Sequence, residues 1–216
     1  MKSALSVLLL CFVLASCGEE KEKTIQERAE AGDAEAQNSL GWMYYKGEGV
    51  PKDYAEAIKW FRKAAEQGYA NSQNNLGAMY DAGYGVPKDY AESVKWYRKA
   101  AEQGNASGQK SLAGLYATGN GVPKDMTEAA KWFRKAAEQE DTDAQTMMGM
   151  MYTKSMGLPE DYATAYMFFN LSAAQGDKDA EEFMKAIEKL MTKEQIAEGQ
   201  KLTREWVARK AKEKGQ

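Results

Sequence analysis

The pentapeptide Gly49-Val50-Pro51-Lys52-Asp53 returns as Gly85-Val86-Pro87-Lys88-Asp89, as Gly121-Val122-Pro123-Lys124-Asp125 and, altered, as Gly157-Leu158-Pro159-Glu160-Asp161, each copy beginning 36 residues after the last. Trp60, Trp96, Trp132 and Phe168 keep the same step, and so do Tyr44, Tyr80, Tyr116 and Tyr152. A single layered domain has no use for such a period. A stack of like supersecondary units does, because each unit leaves an apolar face that only the next copy can cover.

Within a unit the recurring residues at 36, 37, 40, 41, 43 and 44 have helical spacing, which predicts a helix A ending near Gly47 and Gly49. Pro51 sets the chain direction before a second helix. Asp53 with Glu56 is a capping-box-like start for this helix B, repeated as Asp89/Glu92 and Asp125/Glu128. Helix B then carries Ala57, Ile58, Trp60, Phe61, Ala64 and Ala65 to Gly68, a glycine just past the helix end. The small residues let A and B approach closely, with Trp60 and Tyr44 filling the space between neighbouring pairs.

The pattern L-G-x-x-Y-x-x-G-x-G-V-P-K-D-x-x-x-A-x-x-W-F/Y-x-K-A-A-E-x-G resembles the Sel-one-like repeats, relatives of the tetratricopeptide repeats, over roughly residues 33–176. The expected fold is all-α, a right-handed α-solenoid of antiparallel helix pairs with 36-residue repeats placed at 33–68, 69–104, 105–140 and 141–176. Residues 25–32 align with the second half of a helix B and are expected to cap the first pair. Residues 177–216 supply closing helices, the last opened by a capping box of Thr192 with Gln195. The fourth unit departs from the pattern: Ser155 replaces the first turn glycine, Glu140 the glycine ending the preceding helix B, and Phe168-Phe169 the Trp-aromatic pair. The basic finish from Arg204 to Lys214 reads as a solvated helix end.

At the other end, Lys2 precedes an apolar run from Ala4 to Ser16, and the chain turns polar from Gly18. This reads as a secretory signal over 1–16, too short to span a bilayer. Leu14-Ala15-Ser16-Cys17 resembles the lipobox of bacterial lipoproteins. That resemblance implies lipidation of Cys17, a tether over 17–24 and an anchor in the bacterial cell envelope. Gly18, where an Asp would retain the protein, favours the periplasmic face of the outer membrane. The alternative is a plain signal peptide with Cys17 as an unmodified thiol.

The chain of 216 residues has no histidine, which removes Ser-His-Asp triads, Cys-His pairs and the usual zinc ligand sets. Its 29 Lys and Arg against 32 Asp and Glu leave a net charge of −3, so no basic excess gathers nucleic-acid phosphates. Carboxylate pairs remain the only general acid/base route, and nearly every Glu is a repeated helix-surface residue. Ser107 and Lys110 spell S-x-x-K, but no S-D-N or K-T-G accompanies them, and the equivalent Ser72/Asn75 and Ala144/Met147 mark it as an accident of helix A. No catalysis, cofactor, metal or nucleic-acid partner is expected.

Aligning the units separates positions fixed by stacking from positions free to serve a partner. On helix A the fixed residues span about 140° to 300° of the helix wheel, and the variable 35, 38, 39, 42 and 45 lie on the other side. Position 38 reads Asn38, Asn74, Lys110, Thr146; position 42 reads Trp42, Ala78, Gly114, Met150; position 45 reads Tyr45, Asp81, Ala117, Thr153. In related helical repeats helix A lines the concave surface, so the expected partner groove comprises Asn38, Trp42, Tyr45, Asn74, Asp81, Lys110, Met147 and Met150. Trp42 and Tyr45 are its aromatic anchors, and the methionines form an adaptable apolar patch. The competing reading packs Trp42 and Tyr45 under the N-terminal half-helix as a cap. On helix B the repeated Lys59/Lys95/Lys131 and Arg62/Arg98/Arg134 read as a solubilising face. The expected function is a non-catalytic scaffold for a protein or peptide partner, an adaptor in signalling or complex assembly as the resemblance implies. The alternatives are a cell-wall-related enzyme and a self-associating structural lipoprotein.

Overall fold

A computed structural model describes residues 25–215, and every regular element among them is helical. The expectations for the signal, Cys17 and the tether lie outside the described residues. Residues 25–30 form α1. It is followed by α2 (Ala34–Lys46), α3 (Tyr54–Glu66), α4 (Ala70–Ala82), α5 (Tyr90–Glu102), α6 (Ala106–Thr118) and α7 (Met126–Glu138). Then come α8 (Thr142–Thr153), α9 (Tyr162–Ala173), α10 (Lys178–Glu188) and α11 (Lys193–Lys214). None of these helices is long and apolar enough to cross a membrane. The helices divide into two compact units, the first ending at Trp96 and the second beginning at Tyr97 within α5.

In the first unit α2 and α3 pair antiparallel. The Asp53 N–H donates to the Tyr44 carbonyl at 2.9 Å. Gly41 lies under Phe61, so close that a Cβ there would sit 2.6 Å from the ring. Gln67 Nε2 donates to Gln37 Oε1 at 2.7 Å. Residue numbers fall on one helix as they rise on the other. The second unit repeats this joint in α8 and α9, with Asp161 on the Tyr152 carbonyl, Gly149 under Phe169 and Gln175 on Gln145.

Helix B starts where the Asp side chain accepts orphan amides: Asp53 Oδ1 takes the N–H groups of Ala55 (2.8 Å) and Glu56 (3.0 Å). The reciprocal half of the expected capping box is missing, because Glu56 turns outward to hold Lys59 Nζ at 2.5 Å. Both halves form at α11, where Thr192 and Gln195 exchange bonds. Ser155 and Glu140 keep the left-handed backbone of the glycines they replace, with φ of 50° and 64°. A side chain in that region is strained by about 1–2 kcal/mol. Ser155→Gly is therefore expected to stabilise the second unit by about 1 kcal/mol, after allowing for the greater freedom of glycine in the unfolded chain. An unchanged or lowered urea midpoint would contradict this.

Two features join helix B of each of the first three repeats to the following helix A. The buried Gln73 Nε2 donates to the Ala65 carbonyl at 3.1 Å, and Gln109 and Gln145 do the same to Ala101 and Ala137. Gln37 makes this bond to Ala29 of α1 at 3.0 Å, so α1 stands where a helix B would. Arg62 Nη2 donates to the Tyr80 hydroxyl at 2.5 Å, Arg98 to Tyr116 at 2.7 Å, and Arg134 to Tyr152. These arginines thus tie one repeat to the next, which corrects their reading as a merely solubilising face. The lysines of that face form i,i+3 pairs with Glu56, Glu92 and Glu128.

The end of the second unit departs from the repeat. Helix α11 packs along α9, with Trp206 edge-on to Phe168 at 5.8 Å, and Gly199 admits Tyr166 closely. Arg209 and Lys210 reach Glu138 at 3.0 and 3.4 Å, and Lys214 reaches Glu140. The basic finish is thus docked through part of its charges, while Arg204, Arg209, Lys212 and Lys214 stay exposed as a solvated helix end.

Candidate partner-binding surfaces

On α2, Trp42 and Tyr45 lie off the stripe that buries Ala36, Leu40 and Gly41. Trp42 stands edge-on to both Tyr45 (5.1 Å between centroids, 82°) and Phe61 (5.7 Å, 78°). Tyr45 meets Tyr54 at 5.3 Å, and Tyr54 stacks on Tyr84 at 4.8 Å and 11°. With Met79 and Asp81 of α4, the rings of Trp42, Tyr45, Phe61 and Tyr84 border a cavity of about 210 Å³. Trp42 and Tyr84 remain 38% and 41% exposed, large rings left open to solvent. The N-terminal helix is covered by other residues: Ala29 packs with Ala36, Leu40, Met43, Tyr44 and Trp60. Trp42 and Tyr45 are not its cap. Sequence reasoning missed Tyr84, which sits between the turn glycines Gly83 and Gly85 at a place held by Glu48, Asn120 and Met156 in the other units. That variability was the available signal.

In the second unit Met147 and Met150 of α8 line an open groove of about 600 Å³ with Thr146, Asp177 and Phe183. Phe183 is exposed, while Met150 also packs against the cluster of Ala165, Tyr166 and Phe169. The floor is polar. Thr146 Oγ1 donates to Asp177 Oδ2 at 2.6 Å and Ser172 Oγ to the same oxygen at 2.9 Å, while Asp177 Oδ1 caps α10 through Asp179 and Ala180. The hydrogen bond from Thr146, joined by those from Ala180 and Ser172, holds the Asp177 carboxyl below the usual carboxylate range against the opposing effect of burial. A carboxylate so saturated is a structural acceptor and a poor proton carrier.

Position 38 proves to be a joint between successive A helices. Asn38 Oδ1 accepts from Ser72 Oγ at 2.8 Å and Asn75 Nδ2 at 3.0 Å. Lys110 pairs with Asp141 at 3.0 Å and Asp143 at 2.6 Å. Partial burial pulls the Lys110 pKa down, but hydrogen bonds to Asp143 and Asp141 outweigh it and hold the ammonium above the ordinary lysine value. The amine that the S-x-x-K reading would need as a base is engaged instead by these two carboxylates. Asn74 is partly buried, with an Oδ1 that has no hydrogen-bond partner among the described residues. Asp81 stands in the aromatic cavity wall, and among the described residues its carboxylate makes no ion pair. Among the described residues no group of three Asp, Glu or Cys side chains comes together in a way that could hold a metal ion.

Antiparallel helix pairs joined by identical amide and guanidinium bonds define an all-α repeat protein of the α-solenoid class. Four Sel1 repeats match at residues 34–69, 70–105, 106–141 and 142–177, and the chain belongs to the Sel1 repeat family. Members of this family are generally protein-interaction scaffolds and typically non-catalytic. A Sel1 repeat protein from Oxalobacter formigenes is 41% identical, with a TM-score of 0.69 over 73% of this chain and 64% of its own. The secretory immunoglobulin A-binding protein EsiB of Escherichia coli is 42% identical over 66 residues, 29% of this chain and only 14% of that protein. The chain thus matches a small part of that curated relative. The immunity protein Pa5087 of Pseudomonas aeruginosa shares the fold at 22% identity and a TM-score of 0.51, over 86% of this chain and 70% of its own.

Proposed function

We propose that the chain is a non-catalytic scaffold that captures a segment of a partner protein on its helix-A faces, anchored in the first unit by the Trp42, Tyr45 and Tyr84 pocket. The observation that carries this reading is that the pocket leaves two large aromatic rings open to solvent. Rigid aromatic side chains at a concave place are the residues that contribute most to interface energy. The EsiB name supports protein recognition by repeats of this kind. The Met147 and Met150 groove offers a second, adaptable contact in the other unit. With the lipobox-like Leu14-Ala15-Ser16-Cys17, the scaffold is proposed to work lipid-anchored in a bacterial envelope, at the periplasmic face of the outer membrane, as an adaptor in complex assembly.

Photo-crosslinking in cells tests the reading, with the probe at Ala78, an exposed residue in the wall of the same pocket, and a control at the exposed Glu66 of α3. A discrete adduct from position 78 and none from 66 is the expected result. Adducts from neither, in protein that is folded and membrane-bound, would overturn it.

A further inference from the structure

We propose that the Trp42 pocket takes a cationic side chain, the ammonium of a lysine or the guanidinium of an arginine, presented by the partner. This rests on the partner-binding reading of the same surface and names the chemistry of what enters. Trp42, Tyr45 and Tyr84 all line the cavity, with their rings at 82° between Trp42 and Tyr45 and 58° between Tyr45 and Tyr84. A cation within about 6 Å of the face of such a ring is attracted by the ring quadrupole. The chain's own lysines already make this contact with rings of the cluster: Lys52 Nζ lies 4.7 Å from the Tyr54 centroid and Lys46 Nζ 5.6 Å from that of Trp42.

Asp81 sets the sign of the guest. The recurring acids of helix B are paired with lysines, whereas Asp81 is unpaired among the described residues and replaces Tyr45, Ala117 or Thr153 of the other units. It also sits at the second-last residue of α4, where the helix dipole disfavours an anion. Nothing in the repeat requires a carboxylate there. An apolar guest would bury it without compensation, while a cation would neutralise it. The cavity of about 210 Å³ is smaller than a typical small-molecule site, usually about 300–1,000 Å³. It holds one long side chain and not a helix.

The test titrates the full chain with two blocked tripeptides, acetyl-Gly-Lys-Gly-amide and its norleucine analogue, which keeps the stem and removes the charge. The readout is the Trp42 indole N–H resonance, assigned by its loss in Trp42→Phe. The lysine peptide is expected to shift it saturably, and the norleucine peptide to bind at least about tenfold more weakly. Asp81→Asn is expected to weaken the lysine peptide by about fivefold, leave the norleucine peptide unchanged, and keep or slightly raise the denaturation midpoint. A lowered midpoint would instead mark Asp81 as structural. Equal binding of the two peptides, indifference to Asp81→Asn, or no shift at Trp42 would each overturn the proposal. If the crosslink from position 78 persists undiminished in Asp81→Asn, only the cationic guest is lost and the scaffold reading stands. If position 78 yields no adduct in the chain with Asp81 intact, the scaffold reading itself fails.

Discussion

Truncating Phe61 to alanine is expected to destabilise the first unit by about 3–5 kcal/mol, the usual consequence of emptying a buried aromatic site. Phe61 is 1% exposed and packs in one cluster with Ala57, Ile58, Leu76 and Met79. Its ring rests on Gly41, a residue with no side chain to expand into the void, so the space collapses poorly and the larger end of the range applies. Trp42, edge-on to the same ring, is far more exposed, and Trp42→Ala is expected to change stability by much less. Urea denaturation of the two variants separates the roles. Similar losses would mean that Trp42 belongs to the core and not to a surface held ready for a partner.

Gly85→Ala is expected to be nearly as damaging, by about 3 kcal/mol, for a different reason. Gly85 has φ of 71°, and a Cβ there would lie 2.5 Å from the Tyr54 carbonyl oxygen and 2.9 Å from the Ala55 nitrogen. Those are backbone atoms of the first turn of α3, which cannot yield without moving the helix. Gly68 supplies the control: φ is 89°, and a Cβ there meets nothing within 4 Å. Gly68→Ala should therefore show only the conformational part, about 1–2 kcal/mol. Equal losses at the two positions would show that the contact with Tyr54 contributes nothing. Gly157 makes the same approach to Met126 in the second unit, so the second glycine of the turn serves inter-repeat contact as well as the bend.

The period, both helices of each pair and the buried positions 36, 37, 40 and 41 were legible because each depends on spacing within a repeat. What spacing could not show was who meets whom across repeats. Arg62 and Tyr80 stand 18 residues apart on different helices, and nothing in either local pattern announces the bond. Arg209 and Glu138 are 71 residues apart, so the docking of α11 was still less accessible. Position 38 misled for a related reason. Its residues vary from unit to unit because each answers a different neighbour, Asn38 to Ser72 and Asn75, Lys110 to Asp141 and Asp143, Thr146 to Ser172 and Asp177. Variation there is compensated packing, whereas at positions 42 and 45 it accompanies the exposed ring of Trp42 and the unpaired carboxylate of Asp81. Of the expected groove, Trp42, Tyr45 and Asp81 come together at one cavity and Met147 and Met150 at another, while Asn38 and Lys110 are taken up by the joints.

At the buried glutamines, unlike at position 38, the joints are interchangeable. Each amide finds a backbone carbonyl on the preceding helix, a group that every residue type supplies, and so the bond asks nothing of the neighbour's side chain. A whole 36-residue copy could be added or removed with every amide still meeting an equivalent carbonyl, whereas a shift by any other number of residues would strand it in the core. Such an array grows or shrinks by duplication and loss of entire units, and the surface it offers to partners changes in the same steps.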